Sequence, residues 1–183
     1  MSIQYRRVTP VPLPRESGIA NAYASVNLAD SYSIELPTGA SRNPEQLARF
    51  IFSQQAPWIS WLMTVRDTLV AGFGLKTAKQ LRSLGVDDKA SRVGIFRIYS
   101  ANQTEIVLGE DDTHLDFRLS VLCADQPPLT GKYHLIVSTV VHCHNRLGRN
   151  YIRLIAPFHR LVVQSSLRRA ARVGWPMATQ GAH

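Results

Sequence analysis

Strict alternation of apolar and polar residues marks the centre of the chain. Within residues 113–122 the odd positions from 115 to 121 are apolar and the even positions from 114 to 120 are polar, which predicts a half-buried β-strand. Residues 126–131 contain two adjacent prolines and a glycine, and this composition predicts a turn. Residues 133–145 then alternate again. Together the three stretches predict an antiparallel hairpin with one apolar face.

The alternation also predicts how the two arms pair. A slip of one residue would mix the apolar and polar faces, so odd positions should lie opposite odd positions. A turn centred near Pro128 then places His114 opposite His142 and Asp112 opposite His144.

The even-numbered face of the hairpin collects charged and imidazole side chains. One interpretation is a cluster that transfers protons or binds a metal ion, with His114, His142 and His144 as candidate ligands. The alternatives are the solvated face of the sheet and a contact between subunits. No motif with typical metal-ligand spacing supports the histidines, and we expect neither a metal nor another cofactor. The residues on this face are Asp112, His114, Asp116, Arg118, His134, His142 and His144.

Weaker patterns upstream predict further strands and two helices. Residues 30–36 alternate and predict a first strand. Asn43 followed by Pro44 is typical of a helix start, and an apolar stripe containing Trp58 and Trp61 predicts a second helix after Pro57. Residues 93–100 and 104–108 predict two paired strands, and residues 109–112 a turn or a bulge.

The C-terminal region predicts a long amphipathic helix over residues 151–173, preceded by a loop at 145–150. Pro157 should kink this helix or move its start to near Ala156. Its predicted outer face carries Arg153, Arg160, Gln164, Arg168 and Arg172, and its predicted inner face carries Ile152, Ile155, Phe158, Val162, Ser166, Ala170 and Val173.

Composition narrows the class of protein. The 183 residues suit one domain with a sizeable core, and no apolar run approaches the ~20 residues of a membrane span. The first residues lack the apolar segment of a secretory signal, so we expect a cytoplasmic protein.

Cys123 and Cys143 lie too far apart along the predicted hairpin for a disulfide. The formal charge of +8 is compatible with nucleic-acid binding. The basic residues are mostly scattered along the chain, however, so this function is the least favoured.

The element order predicts an α+β fold in which an antiparallel sheet packs against the last helix. This order resembles the helix-grip architecture of the START and birch-pollen-allergen superfamily, a curved sheet that grips a C-terminal helix and leaves a cavity between them. Two helices would separate the first and second strands. We expect an irregular N-terminal arm over residues 1–29, the domain over 30–173 and a short tail over 174–183.

Specific motifs resemble a bacterial family, domain-of-unknown-function family 2867, which is grouped with the helix-grip superfamily. They are Leu108-Gly109-Glu110-Asp111-Asp112, His114-Leu115-Asp116-Phe117-Arg118-Leu119-Ser120, Ser138-Thr139-Val140-Val141-His142 and Pro157-Phe158-His159-Arg160. The resemblance spans roughly residues 30–170. It implies the fold and a bacterial origin, and it implies no activity.

Three functions remain open. The first is binding of a small hydrophobic molecule, with candidate contacts Trp58, Trp61, Phe117, Leu119, Tyr133, Leu135, Val137, Thr139, Phe158 and Val162. The second is a cyclase-like or hydrolase-like enzyme that uses Asp116, Arg118, His142 or His159 for proton transfer. The parity of the hairpin turns the first three of these away from the apolar face. The third is a homodimer that pairs through the polar face.

Overall fold

The computed structural model describes residues 7–54, 91–125 and 133–178. Within these residues the elements form one antiparallel sheet in the order β1-β2-β7-β6-β5-β4-β3, accompanied by two helices. This arrangement confirms the α+β class. The elements are β1 (Thr9–Pro10), β2 (Leu28–Glu35), α1 (Pro44–Ser53), β3 (Arg92–Val93), β4 (Phe96–Ala101), β5 (Glu105–Asp111), β6 (Leu115–Asp125), β7 (Tyr133–Cys143) and α2 (Arg146–Val173).

The central hairpin, β6 and β7, confirms the predicted parity and corrects the predicted register. Leu115 lies opposite Cys143, so odd positions face odd positions. Asp116, and not His114, lies opposite His142, which makes the predicted pairing wrong by two residues. Alternation specifies which face each residue lies on. It does not distinguish two registers that differ by two residues, so the geometry of the turn decides between them. The predicted turn at 126–131 lies outside the described residues.

Other strand boundaries differ locally from the predictions. The first predicted strand, β2, begins two residues earlier, at Leu28, where it pairs with Val141 of β7. The predicted strand at 93–100 is divided into β3 and β4. The predicted turn at 109–112 is wrong for its first three residues, because β5 continues to Asp111 and pairs with β6 as far as Asp116. Within this stretch Glu110 pairs with Arg92 at 3.3 Å, whereas Asp111 is exposed at the end of the strand.

Helix α1 begins where the sequence predicts. The side chain of Asn43 accepts a hydrogen bond from the backbone N–H of Gln46 at 2.9 Å, and Pro44 occupies the first turn. Such a cap stabilises a helix by about 1 kcal/mol because it satisfies an otherwise unpaired N–H. The second predicted helix, with Trp58 and Trp61, lies outside the described residues and stays a prediction.

Helix α2 begins earlier than predicted. Residues 146–150 form its first turn, so the predicted loop at 145–150 is wrong. The side chain of Asn145 caps this turn by accepting from the backbone N–H of Gly148 at 2.9 Å. A Cβ at Gly148 would lie 2.3 Å from the carbonyl oxygen of His114, so only glycine lets the helix approach β6 this closely. Pro157 lies inside α2 and neither starts nor ends it.

The buried face of α2 is rotated relative to the prediction. Ile152, Ser166 and Ala170 are buried as predicted. The predicted burial of Phe158 and Val173 is wrong, because these side chains are 46% and 53% exposed. Val163 and Leu167 take their place in the core. Leu161, Val162 and Val163 are consecutive apolar residues, so the sequence allows two helical phases, and packing against β2 selects one of them.

Both helices pack on one face of the sheet, hereafter the inner face. The main core contains buried residues from both helices and from β2, β5, β6 and β7, among them Leu47, Ile34, Leu108, Leu135 and Leu167. Trp175, beyond α2, is also buried in this core, and its ring centroid lies 6.0 Å from that of Phe50. The chain that follows α2 therefore contributes to the packing of the domain.

The N-terminal segment, residues 7–27, covers the middle of the opposite face, hereafter the outer face. Ile19 is buried there against Val107 and Val140, with Leu13 and Tyr23 beside it. The interpretation of the even-numbered face as simply solvated is therefore wrong at its centre, where Ser120 and Ser138 are buried. The sequence could not show this, because the covering segment has no periodic pattern.

Candidate functional site

The inner face gathers most of the residues predicted to contact a ligand. Leu119, Leu135, Val137 and Thr139 are buried on this face, and Phe117 and Tyr133 are partly buried there. On α2, Val162 is half-buried, whereas Phe158 is exposed. Trp58 and Trp61 lie outside the described residues. These strand residues give the inner face an apolar floor, which α2 crosses at β2 and β7.

A polar group interrupts this apolar floor where α2 crosses β2. Asp30 of β2 lies directly opposite Thr139 of β7, so both side chains belong to the inner face. From α2, His159 places its Nε2 3.3 Å from the Asp30 Oδ1, and Arg160 places its Nε 3.7 Å from the Asp30 Oδ2. Asp30, Thr139 and His159 form the polar site discussed below.

The polar site is buried, and its polar atoms make ion-pair contacts but no hydrogen bonds within the described part of the chain. The Asp30 side chain is 10% exposed and that of His159 is 22% exposed. Both carboxylate oxygens of Asp30, the Thr139 Oγ1 and the His159 Nε2 are buried, and none of them has a hydrogen-bond partner within residues 7–54, 91–125 and 133–178. A buried polar atom without a hydrogen bond lowers the stability of the fold by about 1–3 kcal/mol, and a buried charged group lowers it by more. A site of this kind inside an apolar floor has the chemistry to receive a hydrogen-bonding group from a ligand.

Asp30 carries a sequence signal that the strand prediction did not use. It shares parity with Tyr32 and Ile34, both of which point into the core. An acidic residue at an inward-facing strand position is rare unless it is paired. His159 was among the predicted proton-transfer residues, but nothing in the local pattern links it to Asp30.

The other predicted proton-transfer residues lie on the outer face, as their parity required. His144 Nε2 is 3.1 Å from the Asp116 Oδ1. The ring of His142 stacks on Tyr23 with 5.6 Å between centroids. Arg118 hydrogen-bonds Asp111 at 2.7 Å. Each of these residues therefore has local partners and lies across the sheet from the polar site.

The environment of Arg118 shifts the pKa of its neighbours. Burial and a hydrogen bond to Asp111 raise the pKa of Tyr99 to about 12. Burial likewise raises the pKa of Tyr23. For Arg118 itself burial lowers the pKa, but the hydrogen bond to Asp111 and the facing tyrosines outweigh it, and the net shift is upward. These shifts leave Arg118 charged and both tyrosines neutral near pH 7.

The three histidines proposed as metal ligands do not come together as a ligand set. The rings of His142 and His144 lie 5.1 Å apart, but the His114 Nδ1 lies 2.7 Å from the Asn145 Nδ2 and the His142 Nδ1 lies 3.0 Å from the Ser25 hydroxyl. In the described part of the chain, no group of three or more His, Cys, Asp or Glu side chains has an arrangement suited to a metal ion.

A buried carboxylate on the outer face holds the N-terminal segment. Glu105 is 5% exposed, and it accepts hydrogen bonds from the hydroxyls of Ser17 and Ser120 and from the backbone N–H of Gly18. In contrast to Asp30, both oxygens of the Glu105 carboxylate accept hydrogen bonds within the fold.

Both cysteines are free and buried, which agrees with the expectation that they do not pair. Burial raises the pKa of the Cys123 thiol to about 11 and also raises that of Cys143. Cys143 belongs to the inner-face cluster around Ile152, whereas its neighbour His142 lies on the outer face. The arrangement is that of two packed thiols and does not activate a nucleophile.

Comparison with known proteins gives a family and no activity. Among the described residues, no helix combines the length and apolar character needed to cross a membrane. No curated protein and no solved structure matches the chain. A family model described as protein of unknown function, DUF2867, matches residues 22–166, a span that includes β2 to β7, Asp30 and His159. The chain therefore belongs to the DUF2867 family.

Proposed function

We propose that the protein binds a small, mainly apolar molecule that carries a hydroxyl or amine group, between the inner face and α2. The observation that carries this proposal is the buried carboxylate of Asp30 in the apolar floor, which accepts no hydrogen bond from the described residues. Its oxygens accept hydrogen bonds, and the Thr139 hydroxyl and the His159 imidazole can also accept one. The apolar body of the ligand would rest on Leu119, Val137 and their neighbours.

The topology supports a helix-grip domain, whose packing extends beyond residues 30–173 to β1 and to Trp175. The sheet is antiparallel, and the long last helix crosses its inner face at β2 and β7. This is the arrangement in which a helix-grip domain encloses its ligand between sheet and helix. Two free cysteines also support a reducing compartment, which we take to be the bacterial cytoplasm.

The first experiment is native mass spectrometry of the freshly purified protein, compared with its mass after denaturation. We expect additional non-covalent mass in the range of a small metabolite or lipid. The second uses two probes of similar shape, 2-naphthol and 2-methoxynaphthalene, of which only the first donates a hydrogen bond. We expect 2-naphthol to bind more tightly by about tenfold, since a hydrogen bond to a charged group contributes roughly 1.5–3 kcal/mol.

Asp30→Asn tests the role of the carboxylate with little change of shape. We expect this variant to lose most of the preference for 2-naphthol while it still binds both probes. Asp112→Asn is the matched control, because Asp112 lies in the turn before β6 and away from the inner face. Absence of retained mass together with no binding of either probe would contradict the proposed function. Equal binding of both probes would contradict only the role of Asp30.

A second candidate function is proton-transfer catalysis, and the pairing of Asp30 with His159 favours it. A carboxylate beside one imidazole nitrogen orients the ring and leaves the other nitrogen to act as a base. The test is hydrolysis of 4-nitrophenyl acetate, with His159→Gln expected to abolish turnover while 2-naphthol still binds. The control is His134→Gln, because His134 bonds Ser33 on the outer face. Equal rates for wild type and His159→Gln would reject this function.

Pairing of two subunits through the polar face has less support. The N-terminal segment already covers the centre of that face, so a partner could reach only its margins. The geometry favours the inner-face site over this alternative.

A further inference from the structure

Helix α2 has an unusual distribution of charge. Its 28 residues include seven arginines and no aspartate or glutamate. Arg153, Arg160, Arg168 and Arg172 are all exposed. Of these, Arg160 lies near Asp30, and Arg168 donates to the side chain of Gln164. Arg153 and Arg172 have no acidic partner among the residues that the structure describes. The solvent side of α2 therefore carries a positive charge that the helix does not neutralise.

Large apolar side chains also lie on this solvent side. Leu154, Phe158 and Leu161 are 59%, 46% and 57% exposed. Their spacing of four and three residues places them together on one face of the helix. The opposite face, with Ile152, Val163, Leu167 and Ala170, is the one buried against the sheet. The helix is therefore apolar on two sides, and only one of them is covered by the described part of the protein.

We propose that this solvent side of α2, hereafter the docking face, binds the surface of a membrane that contains anionic phospholipids. Leu154, Phe158 and Leu161 would enter the boundary between headgroups and acyl chains. The flanking arginines would contact lipid phosphates. Interfacial helices have this composition, with Phe or Leu at the centre and Lys or Arg beside them.

The apolar centre of the docking face distinguishes a lipid surface from nucleic acid. Nucleic-acid sites place basic side chains on phosphates and polar or aromatic groups on bases. Leucine side chains at the centre of the contact would gain little there. At a bilayer the same leucines leave water, while each arginine near an anionic surface strengthens binding by about fivefold. Of these two surfaces, only the membrane uses the charge and the apolar area of the docking face together.

The test is co-sedimentation of the full chain with lipid vesicles. We expect binding to phosphatidylcholine vesicles that contain about 30% phosphatidylserine, weak binding to pure phosphatidylcholine, and loss of binding as salt rises. Leu154→Ser combined with Phe158→Ser should weaken binding by at least tenfold without unfolding the protein, because both side chains are already exposed. Arg153→Gln combined with Arg172→Gln should weaken it by about 25-fold if each charge contributes about fivefold.

Matched controls change the same chemistry elsewhere on the surface. Val26→Ser removes another exposed apolar side chain, since Val26 is 45% exposed. Arg15→Gln combined with Arg97→Gln lowers the net charge by the same amount at two exposed positions away from α2. Both controls should bind vesicles within about twofold of wild type, because neither changes the docking face.

Three outcomes would overturn the proposal. One is no sedimentation with anionic vesicles at low salt. Another is tight binding of duplex DNA that the arginine variant loses and the Leu154→Ser, Phe158→Ser variant keeps, which would assign the docking face to nucleic acid. The third is a dimer in analytical ultracentrifugation that this apolar variant dissociates, which would make the docking face a contact between two copies.

Discussion

Asp30 and His159 approach each other to 3.3 Å across the interface between β2 and α2, yet they do not form a hydrogen bond. A buried ion pair that serves stability alone normally has its remaining oxygens satisfied by further donors. Here Arg160 approaches the second oxygen of Asp30 only to 3.7 Å, and neither oxygen accepts a hydrogen bond from the residues that the structure describes. The pair therefore resembles a site prepared for another molecule more closely than it resembles a structural ion pair.

Asp30→Asn should change stability little. We expect the free energy of unfolding to change by less than about 1 kcal/mol, because the carboxylate makes no hydrogen bond that the variant would lose and its contacts with His159 and Arg160 are long, at 3.3 and 3.7 Å. Urea denaturation at pH 7 followed by tryptophan fluorescence measures this change. A loss of about 3–5 kcal/mol, as expected for breaking an optimised buried ion pair, would show that Asp30 serves the fold.

Glu105→Gln should be much more costly, although it is the same kind of change. The Glu105 carboxylate accepts three hydrogen bonds, of which the two from Ser17 and Gly18 join the N-terminal segment to the sheet and the third comes from Ser120 of β6. We expect a loss of about 2–4 kcal/mol and faster tryptic cleavage after Arg15, which measures release of the segment. Glu16→Gln is the control, because Glu16 is exposed beside the same cleavage site. Unchanged cleavage in Glu105→Gln would contradict the anchoring role.

Gly148→Ala should destabilise the junction between α2 and β6. The new Cβ would lie 2.3 Å from the carbonyl oxygen of His114, so helix and strand would have to separate. We expect a loss of about 2–3 kcal/mol in the free energy of unfolding. Asn150→Ala, an exposed position in the same turn, should be neutral or slightly stabilising. Equal thermal midpoints for the two variants would mean that the close approach is not maintained in solution.

Cys123 should make stability depend on alkaline pH. Its thiol ionises near 9.0 when unconstrained, and burial raises its pKa to about 11 in the folded protein. Between these values the unfolded chain binds fewer protons than the folded chain, so the free energy of unfolding falls as pH rises. We expect Cys123 to contribute a loss of about 2 kcal/mol between pH 8 and pH 11.

Cys123→Val isolates this contribution, since valine fills a similar volume and does not ionise. Urea denaturation of both proteins at several pH values should give a shallower alkaline decline for the variant. Parallel declines would assign the pH dependence to other groups. A thiol reagent should also react with native Cys123 far more slowly at pH 8 than with the unfolded chain, because the thiolate is the reactive form.

The sequence predicted those features that depend on local pattern. The parity of β6 and β7 follows from alternation, because a strand has two faces and only one of them is apolar. The start of α1 follows from Asn43 and Pro44, whose chemistry acts within one helical turn. The expectation that a long C-terminal helix would cover the apolar face of an antiparallel sheet follows from the amphipathic pattern of both.

Features that depend on which distant segments meet were decided only in the tertiary structure. The register of the hairpin shifted by two residues, and the buried face of α2 rotated so that Val163 and Leu167 replaced Phe158, because each local pattern allowed both solutions. The covering of the outer face by Ile19 and the pairing of Asp30 with His159 join segments far apart in the chain. Periodicity reports only whether a side chain faces the interior, whereas the partner it meets there is set by how whole elements pack.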